Sequence, residues 1–257
     1  MTQPPSHNIL CIADVHLQPN AQHPINQAFR AFLQQEATQA KTLYILGDLF
    51  EMWVGDDIGL TTYAQDIQAL KQLTASGVTV YLQFGNRDFL MRNAFWQTTG
   101  IHPLKQPLLQ TLNNQPYLLL HGDSLCTEDK AYQRTRWLLR NPLITWLFLQ
   151  LPAQKRQTIG QKMRNSSQKY NRNKAENIMD VSQTAIQQLL QKYPQSQGLI
   201  HGHTHRPAHH THLLKGKNYH RWVLGDWQLK DQQVHTQILK LNPTPQLISW
   251  QYPIPQP

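Results

Sequence analysis

Five short apolar runs along this chain each end in a polar cluster. "ILCIA" leads into Asp14-Val15-His16, "LYIL" into Gly47-Asp48 and "VTVYLQF" into Gly85-Asn86-Arg87-Asp88. "YLLL" leads into His121-Gly122-Asp123, and "GLI" into His201-Gly202-His203-Thr204-His205. Runs this short, rich in β-branched and aromatic residues and closed by turn formers, predict buried strands. Helical spacing of apolar residues over Ile25–Ala40 and Thr61–Ala75 predicts helices between some of them. Alternating strands and helices define a layered α/β fold. In such folds ligands collect at the loops beyond the carboxyl ends of the strands, where the Asp, Asn and His residues fall. The tail differs: "YHRWVLGDW", "QVHTQILKL" and "PQLISWQYP" predict successive antiparallel strands.

Residues 128–180 form a second exception, a helical pattern set into the α/β frame. The segment carries eleven Lys/Arg against Glu128, Asp129, Glu176 and Asp180, a net +7 of the whole chain's +9. It also holds the apolar cluster Trp137, Leu138, Leu139, Leu143, Ile144, Trp146, Leu147, Phe148 and Leu149. Basic and apolar excess in one helical segment suits an amphiphilic anion or a membrane surface.

With 257 residues and 40% hydrophobic content the chain can build one sizeable α/β domain with an insertion. The positive charge favours an anionic partner: nucleic acid, a phosphorylated metabolite or an acidic membrane surface. Only two cysteines occur, Cys11 and Cys126, and Cys11 sits in an apolar run that suits a buried thiol; this argues against a disulfide framework and makes the cytosol the default compartment. "MTQPPSHN" lacks the basic and apolar regions of a signal peptide. "PLITWLFLQLP", the longest apolar stretch, is too short to span a bilayer.

Asp14-x-His16 and His203-x-His205 each place two metal donors at i and i+2, which an extended backbone projects to one side. Asp48, Asn86 and His121 each follow an apolar run. Carboxylate, amide and imidazole without thiolate suit Mn²⁺, Fe or Zn²⁺ rather than a structural cysteine site. Seven donors exceed one tetrahedral ion. They suit two ions bridged by a carboxylate, a device that activates water and clamps a phosphoryl group.

The ordered set "ADVH", "GDLFE", "GNRD", "HGD" and "GHTH" resembles the calcineurin-like metallophosphoesterase family. The resemblance implies an αββα four-layer sandwich. It implies that Asp14, His16, Asp48 and His205 hold one metal, and that Asp48, Asn86, His121 and His203 hold a second. Where most members of the family place His, this chain has Arg87. Arginine cannot act as a general acid near neutral pH, but it can grip phosphate oxygens bidentately. Together with "GDLFEMWVGDD", "GNRDFL", "HGDSLCTEDKAYQ" and the basic insertion, this narrows the resemblance to one group in the family. Its members cleave UDP-2,3-diacylglucosamine to UMP and 2,3-diacylglucosamine 1-phosphate in lipid A biosynthesis.

That resemblance implies two Mn²⁺ ions and a catalytic set of Asp48, Asn86, Arg87 and His121. It implies substrate contacts at Asn86, Arg87, Asp129, Ser167, Asn171, Lys174 and His203. It makes residues 1–257 a single metallophosphoesterase domain, with 128–180 an inserted helical lid for the lipid. The protein is expected in the cytoplasm, peripheral to the inner membrane, with no nucleic acid partner. A nucleotide or nucleic-acid phosphodiesterase is the alternative, and a scaffold that has lost its metals is a third reading, opposed by seven intact donor positions. His209, His210 and His212 are expected in an exposed polar loop. Asp56 and Asp57 are expected to orient ligands or to cap helices and turns. Asp88 is expected to be structural, and Asp123 to hydrogen-bond a neighbour.

Overall fold

The computed structural model describes residues 8–172 and 180–254, with side chains described up to residue 167 in the first stretch. The first three apolar runs form β1 (Ile9–Ile12), β2 (Thr42–Ile45) and β3 (Thr79–Gln83), which lie parallel, with β4 (His102–Leu104) added beside β3. A second sheet has the order β5 (Leu108–Leu112), β6 (Gln115–Leu119), β7 (Gly198–His201), β9 (Lys217–Val223) and β8 (Ala208–Leu214). β10 (Gln228–Lys230), β11 (Gln233–Leu241) and β12 (Pro245–Pro253) complete the first sheet, where β11 pairs antiparallel with β1.

Strands buried on both faces read as continuous apolar runs, and alternate residues of β1 feed two cores. Leu10 and Ile12 pack with Phe29 and Phe32 of α1 (Pro24–Gln35), and the same core takes in Leu70 of α3 (Ala64–Ala75) and Phe95 of α4 (Asn93–Thr99). Cys11 and Ala13 face the other way, into a core between the sheets with Tyr44, Leu46, Leu119, Ile200 and Leu239. Beyond the second sheet, Leu118, Leu120 and Leu199 meet Ile186 and Leu190 of α8 (Gln183–Lys192). Three cores separate four layers in the order α, β, β, α.

The tail departs from expectation in one respect. β11 and β12 are an antiparallel pair, as their alternation predicted. "YHRWV" instead joins the second sheet, parallel to β7 and antiparallel to β8. Strand periodicity reports which faces are buried and carries no information about which sheet a strand joins. His209, His210 and His212 lie in β8, an edge strand, and not in a loop.

The described part of residues 128–180 is helical: α5 (Lys130–Leu139), α6 (Pro142–Leu149) and α7 (Ala153–Arg172). Local chemistry sets these boundaries. Asp129 caps α5 by accepting from Tyr132 N at 3.0 Å. Asn141 caps α6 by accepting from Leu143 N at 2.9 Å, and Pro142 follows at the first helical position, where its missing N–H costs nothing. Arginines tie the helices to the α/β frame. Arg136 Nε and Arg140 Nη2 donate to buried Asp123 at 2.6 and 2.8 Å, Arg156 Nη1 donates to Val54 O at 2.6 Å, and Arg164 Nε donates to Glu51 at 2.5 Å. Among the described residues no helix is long and apolar enough to cross a membrane.

Candidate metal centre

The donor residues stand where the strands run out. Asp14, His16, Asp48, His203 and His205 all have left-handed backbone, with φ of 53°, 53°, 52°, 70° and 54°. The other non-glycine residues described with positive φ, Asn113, Asn114, Lys215, Asp231 and Gln232, lie at hairpin turns or next to them. A non-glycine residue in this region costs on the order of 1–3 kcal/mol and persists only where its surroundings over-determine it. Here the determinants are backbone bonds between loops: Asp14 N donates to Gly47 O and His16 N to Asp48 O, both at 3.0 Å. The i, i+2 pairs therefore converge through a coiled, strained turn and not through extended backbone.

Two glycines are required by close approach. A Cβ on Gly85 would stand 2.0 Å from Asp48 Oδ1, and one on Gly202 would stand 2.2 Å from Asp14 Oδ2. Without those side chains Arg87 N can donate to Asp48 Oδ1 at 3.0 Å and His203 N to Asp14 Oδ2 at 2.7 Å. Each carboxylate thus has one oxygen held by backbone and the other turned inward.

Donor atoms of Asp14, His16 and His205 lie within 4.8 Å of one another, and so do those of Asp14, Asp48 and His121. Asp48 Oδ2 is 3.9 Å from His16 Nε2 and 3.8 Å from His121 Nε2. His121 Nε2 is 3.2 Å from Asn86 Oδ1, and its ring centroid is 4.9 Å from that of His203. All seven sequence-expected donors meet at one edge of the two sheets. Asp14 Oδ1 is buried without a hydrogen-bond partner. An unpaired buried carboxylate oxygen among oxygen and nitrogen donors, with no thiolate, fits divalent metal ions.

The partners behind the donors orient them. His121 Nδ1 faces Leu46 O at 2.8 Å, and His205 Nδ1 faces Asp226 at 3.2 Å. Burial lowers the His205 pKa, but the neighbouring carboxylates of Asp14 and Asp226 outweigh it and lift it to about 11. Burial and the neighbouring His121 lower that of His203 to about 4. Burial, with the charge on Asp48, pushes Asp88 up to about 7.

Asp88 is a structural bridge. It accepts from Gly85 N at 2.6 Å and Leu49 N at 2.8 Å, locking together the loops that carry Asn86 and Asp48. Arg87 turns its side chain toward the donors. Its Nη1 donates to Glu51 at 2.7 Å, and its Nε lies 3.9 Å from Asp48 Oδ2. Glu51 also lies 3.4 Å from His16 Nδ1 and receives Arg164. Reading the sequence by single residues missed Glu51, Asp226 and Arg164. Glu51 is the last letter of "GDLFE", so the signal lay inside a motif already recognised.

Of the remaining sequence-expected positions, Asp129 is buried at the start of α5 and Ser167 is exposed on α7. The side chain of Asn171 and all of Lys174 lie outside the described residues, as do the side chains of Lys169 and Arg172. Asp56 accepts from Arg92 N and Phe95 N at the start of α4, and Asp57 pairs with Arg156, so neither touches a donor. Asp123 receives Arg136, Arg140 and Tyr132.

The chain belongs to the calcineurin-like phosphoesterase family, whose model matches residues 7–207, and it is a metallophosphoesterase-type hydrolase. Within that family it groups with the UDP-2,3-diacylglucosamine hydrolases. It is 44% identical over 228 residues to the protein of that name from Serratia proteamaculans (strain 568), covering 88% of this chain and 94% of that one. It is 45% identical over 220 residues to the one from Stutzerimonas stutzeri (strain A1501), covering 85% and 90%. With the one from Pseudomonas entomophila (strain L48) it shares 43% over 238 residues, covering 91% and 98%.

Proposed function

We propose that this chain hydrolyses the diphosphate of UDP-2,3-diacylglucosamine, releasing UMP and 2,3-diacylglucosamine 1-phosphate for lipid A biosynthesis. The observation that carries the reading is the position of Asp48 Oδ2 between His16 and His121, with Arg87 beside it. The names and the identity of the relatives supply the substrate.

In this reading Asp14, His16, Asp48 and His205 hold one divalent ion, and Asp48, Asn86, His121 and His203 hold the other. Mn²⁺ suits this mixture of oxygen and imidazole donors. When bound, two such ions supply charge that favours deprotonated water and offsets charge on the phosphoryl oxygens. The chain's own residues do the rest. Asp48 sets the spacing of the two donor sets, and Asn86 and His121 complete one of them. Arg87, held toward the site by Glu51, holds phosphate oxygens as charge builds on them. It gives up no proton, and none is needed, because the departing sugar phosphate is stable as an anion. Asp129, Ser167, Asn171, Lys174 and His203 are assigned to the substrate.

Residues 128–180 act as the lid over the acyl chains. Trp137, Leu143 and Trp146 are 73%, 63% and 57% exposed, a large apolar display for helices this basic. It supports peripheral association with the cytoplasmic face of the inner membrane. A phosphodiesterase for nucleotides or nucleic acid would have no use for these side chains. Protein loaded with Mn²⁺ should release UMP from UDP-2,3-diacylglucosamine, and a metal-loaded preparation that releases none would overturn the assignment.

A further inference from the structure

α7 has two unlike flanks. It rests on the α/β frame along a line marked by Gly160, where an added Cβ would meet Met52 Sδ at 2.7 Å and Val54 Cγ1 at 2.8 Å. On one side of that line Ile159 and Met163, four residues apart, are exposed. On the other side Gln157, Gln161 and Asn165 follow at the same spacing, with Lys162 next to them. These three amides edge a cleft of about 560 Å³. Its opposite wall is formed by Pro19, Met52, Val54, Ile58 and Tyr63. The cleft therefore has one mainly apolar wall, interrupted by Thr62, and one wall edged by amides.

The amides are arranged to read a polar edge. Gln161 Nε2 donates to Asn165 Oδ1 at 3.0 Å. That bond uses one donor on Gln161 and one acceptor on Asn165, so the pair still offers an amide carbonyl and an amide N–H side by side. Exchanging O and N on both side chains leaves the same offer. Three lining residues neighbour the site in sequence: Met52 follows Glu51, which faces His16 and Arg87, Asn165 follows Arg164, which also reaches Glu51, and Pro19 lies three residues beyond His16.

We infer that this cleft seats the uracil base of the UDP moiety, an inference that rests on the hydrolase reading above. The substrate has two unlike ends joined by the diphosphate. The Ile159 and Met163 flank suits hydrocarbon. The amide-edged slot suits a flat ring that presents N–H and carbonyl groups along one edge and an apolar face to Met52 and Val54. An acyl chain laid there would bury three amides against hydrocarbon, which is unfavourable without compensating bonds.

The test uses the Mn²⁺-loaded full chain and two variants at exposed positions, Gln161→Leu and Gln157→Leu. The inhibition constant for UMP should rise roughly three- to tenfold in each variant, the effect of one lost hydrogen bond. That for 2,3-diacylglucosamine 1-phosphate should stay unchanged. Saturation-transfer NMR should place UMP protons H5 and H6 against the wild-type protein and lose that signal in Gln161→Leu. The inference fails if UMP inhibition is the same in the variants, or if the lipid product is weakened in its place. If the wild type does not cleave the UDP-lipid, the hydrolase reading falls. The NMR experiment then judges the cleft independently, and absence of H5 and H6 saturation in the wild type overturns it.

Discussion

The donor rim and the helical insertion are built on opposite principles. The rim is buried and over-determined: five left-handed donor residues, two glycines with no room for a Cβ, and carboxylates whose outer oxygens are fixed by backbone N–H groups. The insertion presents apolar side chains outward and is tied down by a few arginines on buried acids. A rim that must hold donors to within a fraction of an ångström has to be rigid before its ligands arrive. In the proposed function the insertion handles a flexible lipid, and it gains from contacts that can open. The two regions meet at Glu51, which receives Arg87 from the rim and Arg164 from α7.

Substitutions that separate the two regions test this contrast. Asp48→Ala removes the carboxylate that the proposed function assigns to both donor sets. Metal analysis should show binding lost, and turnover should fall by about a thousandfold or more, as when a principal transition-state stabiliser is removed; retained activity would refute the shared role. Arg87→His keeps a cation-capable ring but loses the fork on phosphate. With metal content intact, kcat should fall by about a hundredfold, and unimpaired turnover would mean that Arg87 is only a structural partner of Glu51.

Asp88→Asn replaces one of two acceptors that join the metal loops. Metal affinity, measured by titration, should weaken by about 10- to 100-fold, the usual effect of disturbing a group behind a ligand. Asp123→Asn weakens the tie between the insertion and the frame, made through Arg136 and Arg140. Burial raises the Asp123 pKa, but Arg140, His121 and Arg136 outweigh that and hold the carboxyl well below the usual range. Its charge therefore supports the fold above the ordinary carboxylate pKa, and that support is lost as pH falls through its lowered value. In the variant, hydrogen exchange in α5 should quicken and KM should rise several-fold, about the effect of a weakened ion pair, while metal content stays the same. Loss of metal would break the separation between the two regions.

The smallest effect is a proton count. With the His205 pKa raised to about 11 in the metal-free chain, the ring carries its second proton near neutral pH, and a metal must displace it. Calorimetry in buffers of different ionisation enthalpy should detect proton release on metal uptake near neutral pH, and affinity should rise with pH. A flat profile would mean that His205 is not a ligand.

Much of the rim was legible in the sequence because its chemistry sits at fixed offsets from apolar runs. "ILCIA" followed by Asp-x-His, or "GLI" followed by Gly-His-x-His, states both the strand and the donors beyond it. The layering was legible for the same reason, since strands buried on both faces leave continuous apolar runs. Three things were settled only by tertiary structure. Asp88 gained its bridging role from Leu49 N, 39 residues away in sequence. Glu51, Asp226 and Arg164 became partners of the site through contacts that no local pattern encodes. "YHRWV" joined the second sheet because strand periodicity specifies which residues turn inward and leaves the neighbour open. The sequence by itself determined which chemical groups gather and on which kind of scaffold. The long-range contacts decided how each group is aimed, because direction depends on backbone partners brought together only when the sheets close.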